Sequence, residues 1–385
     1  MSAFAVAVTN NHATPVPYDL PGVEAVRFTQ VNPGGCGVFS CRLATEFGEA
    51  LAVPPYLGFD YRVDVWADGR CVWSGLMDPP ELVFEAGGGY HWEVSASGWG
   101  VLLNAQVDAT QNVRNQATST VVTNALANLV PEFAGSGFAS SITATGFTLA
   151  NSADINLTFL TGVAQIAWAA RFGNSADARQ VWTVYPDDDS TIRFAFAAEA
   201  STPAYAMQLA DAAGARLGGN RHSYANRATV RYNGGASSVS ANNTTLQGAG
   251  PAGVNHIHEL LVILDELTDS ADATQAADAY LAAHSALRLA PNGPITLGFD
   301  TVITDANQDR IEPWRLKAGN VLLFSDVLAT EQTLSNLAFW PRLLIAEVDV
   351  DEEAQMVTIV PESFDTYMES QVAKVHTLLL GRHTL

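Results

Sequence analysis

Between Tyr61 and Trp66 the chain alternates, with Tyr61, Val63 and Val65 on one side and Arg62, Asp64 and Trp66 on the other. A period of two predicts a strand with one covered face, because successive side chains of an extended chain point to opposite sides. Asp68-Gly69 follows, a pair suited to the left-handed backbone of a type I′ turn, and Cys71-Val72-Trp73 reads as the returning strand. Leu82-Val83-Phe84, a Gly87-Gly88-Gly89 turn, and Tyr90, Trp92, Val94 and Ala96 on one face predict a second hairpin. Gly98-Trp99-Gly100 closes it. Short strands at this spacing predict a barrel or sandwich over residues 1–105.

The pattern then changes. Asp108 to Ser119 is polar and reads as a linker, and a hydroxyl at Thr118 or Ser119 can cap a helix that carries Val122, Leu126 and Leu129 to Pro131. A second helix, Leu157 to Phe172, places Leu160, Val163, Ala167 and Ala170 on one side, with Gly173 as its stop. Trp182 to Tyr185 and Ile192 to Phe194 flank Asp187-Asp188-Asp189 as a small hairpin, so residues 106–205 form a mixed α+β module. Ala228 to Tyr232 is a strand ending at Asn233-Gly234-Gly235, followed by a Ser/Asn/Thr-rich stretch to Gly250. Asp272 to Leu289 reads as a helix with Ala276, Tyr280, His284 and Leu287 in one stripe. Strands resume at Ile295–Leu297, Val321–Phe324, Leu343–Val350 and Met356–Val360, the last two joined at Asp351-Glu352-Glu353. The prediction is a second β unit over 206–360 with a helical insertion at 254–290, then a helical tail over 361–385. The fold class is α+β, mainly β: two β units around a small mixed α/β module.

Composition narrows the function. At 385 residues, 48% hydrophobic and with mean hydropathy +0.09, the chain has material for more than one packed core and is not disordered. Its 40 acidic and 19 basic residues give a net charge of −21, and Lys317 and Lys374 are its only lysines. Such a chain lacks the clustered cations that grip a phosphate backbone or an anionic lipid surface. The start shows no basic segment followed by a long apolar run, so no signal peptide is expected, and no stretch is long enough to span a bilayer. Cys36, Cys41 and Cys71 are odd in number and lack a CxxC pair, which predicts buried thiols made in a reducing compartment.

No catalytic or cofactor-binding residue is nominated, because GxSxG, HExxH and the phosphate-binding glycine loop are absent. Gly34-Gly35-Cys36-Gly37 reads as a loop. His256-Ile257-His258 would set two imidazoles on one face of a strand, but Glu259 falls on the other face and no third ligand follows. No metal site is assigned there, and His284 reads as a core histidine. Asp305, Asn307 and Asp309 resemble the first half of a calcium loop, yet Arg310 stands where the turn glycine belongs and Leu316 where the bidentate Glu belongs. The expectation there is an acidic surface turn. Asp187 to Asp189 and Asp349 to Glu353 read as solvated turns, and Trp66, Trp73, Trp92 and Trp99 as core packing rather than a sugar platform.

The stretch Tyr61 to Gly75 is similar to the "strand, dipeptide turn, W-x-G" hairpin of phage minor tail proteins. Val94-Ser95-Ala96-Ser97-Gly98 matches the small-residue strand that follows in that family, and Trp314 to Leu322 resembles its "L-x-x-G-(D/N)-x-(L/V)" segment. The chain thus resembles the baseplate-hub or tail-tip hub proteins of tailed phages. The resemblance implies a virion protein made in the bacterial cytoplasm, a homotrimer in which each subunit donates two tube-type β-barrels of matching topology. Six barrels would continue the hexameric tail tube and hand it to a threefold tip. Implied partners are the tail tube or distal tail protein, a central fibre or spike, and the tape measure protein. DNA would pass without specific binding, through a net acidic lumen. The family carries no catalytic residues and no cofactor. The alternative is a receptor- or carbohydrate-binding β protein at the same tip, which would show clustered exposed aromatics.

Overall fold

The computed structural model describes residues 3–12, 14–44, 54–84, 89–104, 117–129, 138–143, 162–171, 180–198, 202–212, 217–219, 224–248, 256–265, 267–285, 287–291, 293–325, 332–334, 337–339 and 342–361. The first part supplies strands β1 (Ala5–Thr9), β2 (Pro17–Asp19), β3 (Val23–Val31), β4 (Gly34–Ala44), β5 (Arg62–Ala67), β6 (Arg70–Met77), β7 (Glu81–Phe84) and β8 (Tyr90–Gly98). After a 3-10 turn at Trp99–Asn104 come α1 (Thr118–Leu129), β9 (Phe138–Ile142), α2 (Gly162–Arg171), β10 (Gln180–Pro186) and β11 (Ile192–Ala198). The middle holds β12 (Pro203–Met207), β13 (Leu217–Gly219), β14 (Arg227–Tyr232), β15 (Ser237–Asn242), α3 (Thr244–Gln247), β16 (Glu259–Ile263) and α4 (Ser270–His284). The last part holds β17 (Leu287–Pro291), β18 (Ile295–Gly298), β19 (Ile303–Asp305), β20 (Arg310–Ile311) and β21 (Val321–Phe324). It ends with β22 (Gln332–Leu334), β23 (Leu337–Phe339), β24 (Arg342–Asp351) and β25 (Met356–Pro361). The chain is α+β and mainly β. Ladders join 18 strands into one sheet system, which does not close into a barrel among the described residues.

Two hydrophobic clusters organise these elements. The first gathers Phe28, Phe39 and Trp73 with Ile295, Val348 and Ile359, so early and late strands share one core. The second gathers Trp99, Val121, Ile166, Phe194, Val230 and Ala276, from the intervening chain. β14, β15 and β16 form a separate sheet whose buried side chains Ala228, Val230, Ala241 and Val262 belong to this second cluster, under α4. The local signals behave as expected. Asp68 and Gly69 take φ of 50° and 74° between β5 and β6, as a type I′ turn requires. The ladder between β24 and β25 turns at Asp351 to Met356, as placed.

Several expectations need correction. β5 is covered on both faces, not one: Asp64 is 7% exposed because Ser74 and Trp99 pack over its side of the strand. The helix placed at Asp272 to Leu289 runs Ser270–His284, capped by the Asp269 carboxylate on Ala271 N–H, and Leu287 opens β17 instead. The polar stretch after Gly235 contains a strand, β15, paired residue for residue with β14. Residues 108–116, Leu157 to Leu160, Gly173, Gly87, Gly88 and the tail from Glu362 lie outside the described residues.

Gly34 to Gly37 is strand, not loop. Here β4 runs parallel to β10, Gly35 facing Val184, while the far end of β8 crosses it from the other side. A Cβ on Gly98 would sit 1.8 Å from the Cys36 carbonyl oxygen, and one on Gly35 would sit 2.1 Å from the Val184 carbonyl oxygen. The missing side chains let three backbones approach where the two clusters meet. Gly98→Ala is therefore expected to destabilise by about 1–3 kcal/mol, as overpacking does. Thermal melts of the variant check this, and an unchanged midpoint would refute the crossing as a tight contact.

Candidate functional site

β3 of the early chain pairs antiparallel with β24 of the late chain, from Val31↔Glu347 to Arg27↔Asp351. That ladder makes one sheet of the series β7-β8-β4-β3-β24-β25-β18. One face of the sheet is apolar: Trp92, Phe39, Phe28, Val348, Ile359 and Leu297 enter the first cluster. Alternation puts every second residue on the opposite face. There, cross-strand rows run Ser95–Ser40–Arg27–Asp351 and Thr29–Asp349–Thr358–Thr296. A further row runs Glu81–Glu93–Arg42–Glu24.

This open face carries mainly hydroxyls and carboxylates, with Val38 and Met356 exposed among them. Glu24, Glu81, Glu93, Glu347, Asp349 and Asp351 outnumber Arg27 and Arg42 on it. Both guanidiniums are already committed, Arg27 to Asp349 at 2.6 Å and Arg42 to Glu353 at 2.7 Å. Partial burial, then the neighbouring Asp349 charge, raises the Glu347 pKa above the ordinary carboxylate value. The face is net negative, with short side chains and no cation left over. It can pass a polyanion without holding it.

Two buried carboxylates fix the frame behind this face. Glu352, at the tip of the β24–β25 hairpin, is 8% exposed and accepts from Ala3 N–H at 2.8 Å and Val26 N–H at 3.1 Å. It is not the solvated turn residue its acidic neighbours implied. It ties the late hairpin to the first strands of the chain, beside the left-handed Ala25 (φ 53°). Glu352→Ala would leave the Val26 N–H without its acceptor in a buried place, a loss of about 1–3 kcal/mol. Glu352→Gln keeps one acceptor oxygen and is expected to recover part of that in a denaturant titration. Equal losses for the two variants would contradict the clamp.

The second is Asp64. Its carboxylate accepts from Ser74 Oγ at 2.6 Å and pairs with Arg62 at 2.9 Å, while Trp99 Nε1 donates to Ser74 Oγ at 2.9 Å. Arg62 lies 5.9 Å over the Trp99 ring and donates to the Ser190 carbonyl in the β10–β11 hairpin. Burial raises the Asp64 pKa, with Arg62 and Ser74 acting against the rise. This network bolts the second cluster to the back of β5 and β6.

The other sequence candidates lie elsewhere. His256, Ile257 and His258 precede β16 and are not on a strand. Asn226 holds them off the ladder, donating to the His256 carbonyl and accepting from His258 N–H, and the two imidazoles stand 6.4 Å apart. His284 is buried at the end of α4. The Asp305 carboxylate accepts from Asn307 N–H and Asp309 N–H, which closes the β19–β20 turn, and Leu316 is buried in the first cluster. Asp187 pairs bidentately with Arg193, and Asp188 with Arg70. Among the described residues, no group of three or more His, Cys, Asp or Glu side chains is placed to hold a metal ion. The cysteines are buried, and burial pushes the Cys36 and Cys41 thiols up to about 12. Trp73, Trp92 and Trp99 are buried. Among the described residues no helix is long and apolar enough to cross a membrane.

No family model and no curated protein matches the chain by sequence. Solved structures do match by fold. The 43 kDa tail protein of prophage MuSo2 from Shewanella oneidensis superposes with a TM-score of 0.55 at 11% identity, over 93% of this chain and 97% of that one. The tail protein from Neisseria meningitidis MC58 superposes with a TM-score of 0.54 at 11% identity, over 94% and 96%. Along nearly its whole length, this chain has the fold of phage tail proteins.

Proposed function

We propose that the chain is a structural component of a tail tip: three copies form a hub that joins a hexameric tail tube to a threefold fibre or spike. Its acidic sheet face lines the channel through which the genome leaves. The observation that carries this reading is the β3–β24 ladder, which runs one polar, net-negative face across the early and late parts of the chain. Two β units per subunit, times three subunits, presents six units to a sixfold tube. The units are β1–β8 on one side and β12, β18–β21, β24 and β25 on the other, with the second cluster as the mixed module between them. The full-length fold shared with two tail proteins supports the setting. Its neighbours would be the tube or distal tail protein above, the fibre or spike below and the tape measure protein within.

The work is mechanical rather than enzymatic. The carboxylates of Asp187, Asp305, Asp349 and Glu352 close a turn, pair with arginines or accept backbone N–H groups, so their chemistry is already engaged. The receptor-binding alternative draws less support, because among the described residues the exposed aromatics Phe59 and Phe84 stand on separate elements, the loop before β5 and the edge strand β7. Negative-stain imaging of the purified chain tests the proposal. Threefold rings with a central hole are expected, and compact monomers at micromolar concentration would overturn it.

A further inference from the structure

We draw no further inference here: the strongest candidate, the outer edge of β16, which no strand pairs among the described residues and beside which Leu261 and Ile263 are each 54% exposed, is an unpartnered apolar surface, and nothing in the structure shows what covers it.

Discussion

Asp64→Ala is expected to lower stability by about 3 kcal/mol, the low end for breaking a buried ion pair because Arg62 keeps some access to water. The carboxylate is the common acceptor of a short network. Without it, Ser74 Oγ has lost its acceptor, and Arg62 retains the Ser190 carbonyl and the Trp99 ring. The damage should concentrate where the second cluster meets β5 and β6, so hydrogen exchange at β10 and β11 is expected to quicken more than at β24 and β25. Asp64→Asn keeps an acceptor for Ser74 and should be milder. Its deficit should also depend on pH with a definite sign. Burial raises the folded-state pKa of Asp64 above the unfolded value, so the folded state holds the proton more tightly. The native protein therefore gains stability from this group below the ordinary carboxylate range and loses it as pH rises through the raised pKa. Asn does not titrate, so the gap between native and variant should widen as pH falls from neutrality into the acid range. A gap that narrowed on acidification would show that Asp64 is held with a lowered pKa, contrary to its burial.

What could be read without coordinates was whatever is encoded over a few residues. Asp68-Gly69 marks its hairpin because a type I′ turn needs left-handed backbone at both positions, and the structure has it there. The Asp351 hairpin, the β10–β11 hairpin and the start of α1 were legible for the same kind of reason. Leu287 to Leu289 misled because an apolar stripe continues past His284 in helical spacing, although Ser285 already caps the helix and β17 pairs with β13 and β23. Gly34 to Gly37 misled in the opposite sense: glycine most often signals a turn, and here it is needed for a crossing of strands that are distant in sequence.

The site was legible as composition but not as place. An excess of carboxylates is plain in the residue counts, yet nothing local shows that Asp349 and Asp351 stand beside Arg27, which is 322 residues from Asp349. Nor does any motif announce that Glu352, between the half-buried Asp351 and the exposed Glu353, turns inward to hold Ala3 and Val26. Hairpin tips are usually wet, so the sequence signal points the wrong way. The buried face of β3 offers the one available hint, since Val26, Phe28 and Gln30 alternate as an interior strand with a neighbour on each side would.

Reversing the charge of the acidic face is expected to turn a passage into a trap. Glu93→Lys, Glu347→Lys and Asp351→Lys together place three cations on the face while sparing Asp349, whose pairing with Arg27 would otherwise be broken. In a threefold ring those cations repeat around the wall. Each phosphate neutralised by a lysine releases a counterion, and non-specific duplex binding of about 10⁻⁴–10⁻⁶ M is expected at physiological salt, with none expected of the native protein. The affinity should fall steeply with added salt, since lysines on a wet face gain through counterion release and screening acts within ~8–10 Å. Lysines anywhere on the surface would attract DNA to some degree, so the decisive comparison is topological. A channel admits a duplex only through a free end. Preassembled rings of the variant should retain linear duplex and ignore a covalently closed circle of the same sequence. A control with Asp211→Lys, Glu259→Lys and Asp265→Lys, away from the sheet that β3 and β24 join, should bind both forms alike. If the variant holds circles as well as linear DNA, the acidic face is an outer surface. Its carboxylates then serve solubility rather than the release of a genome.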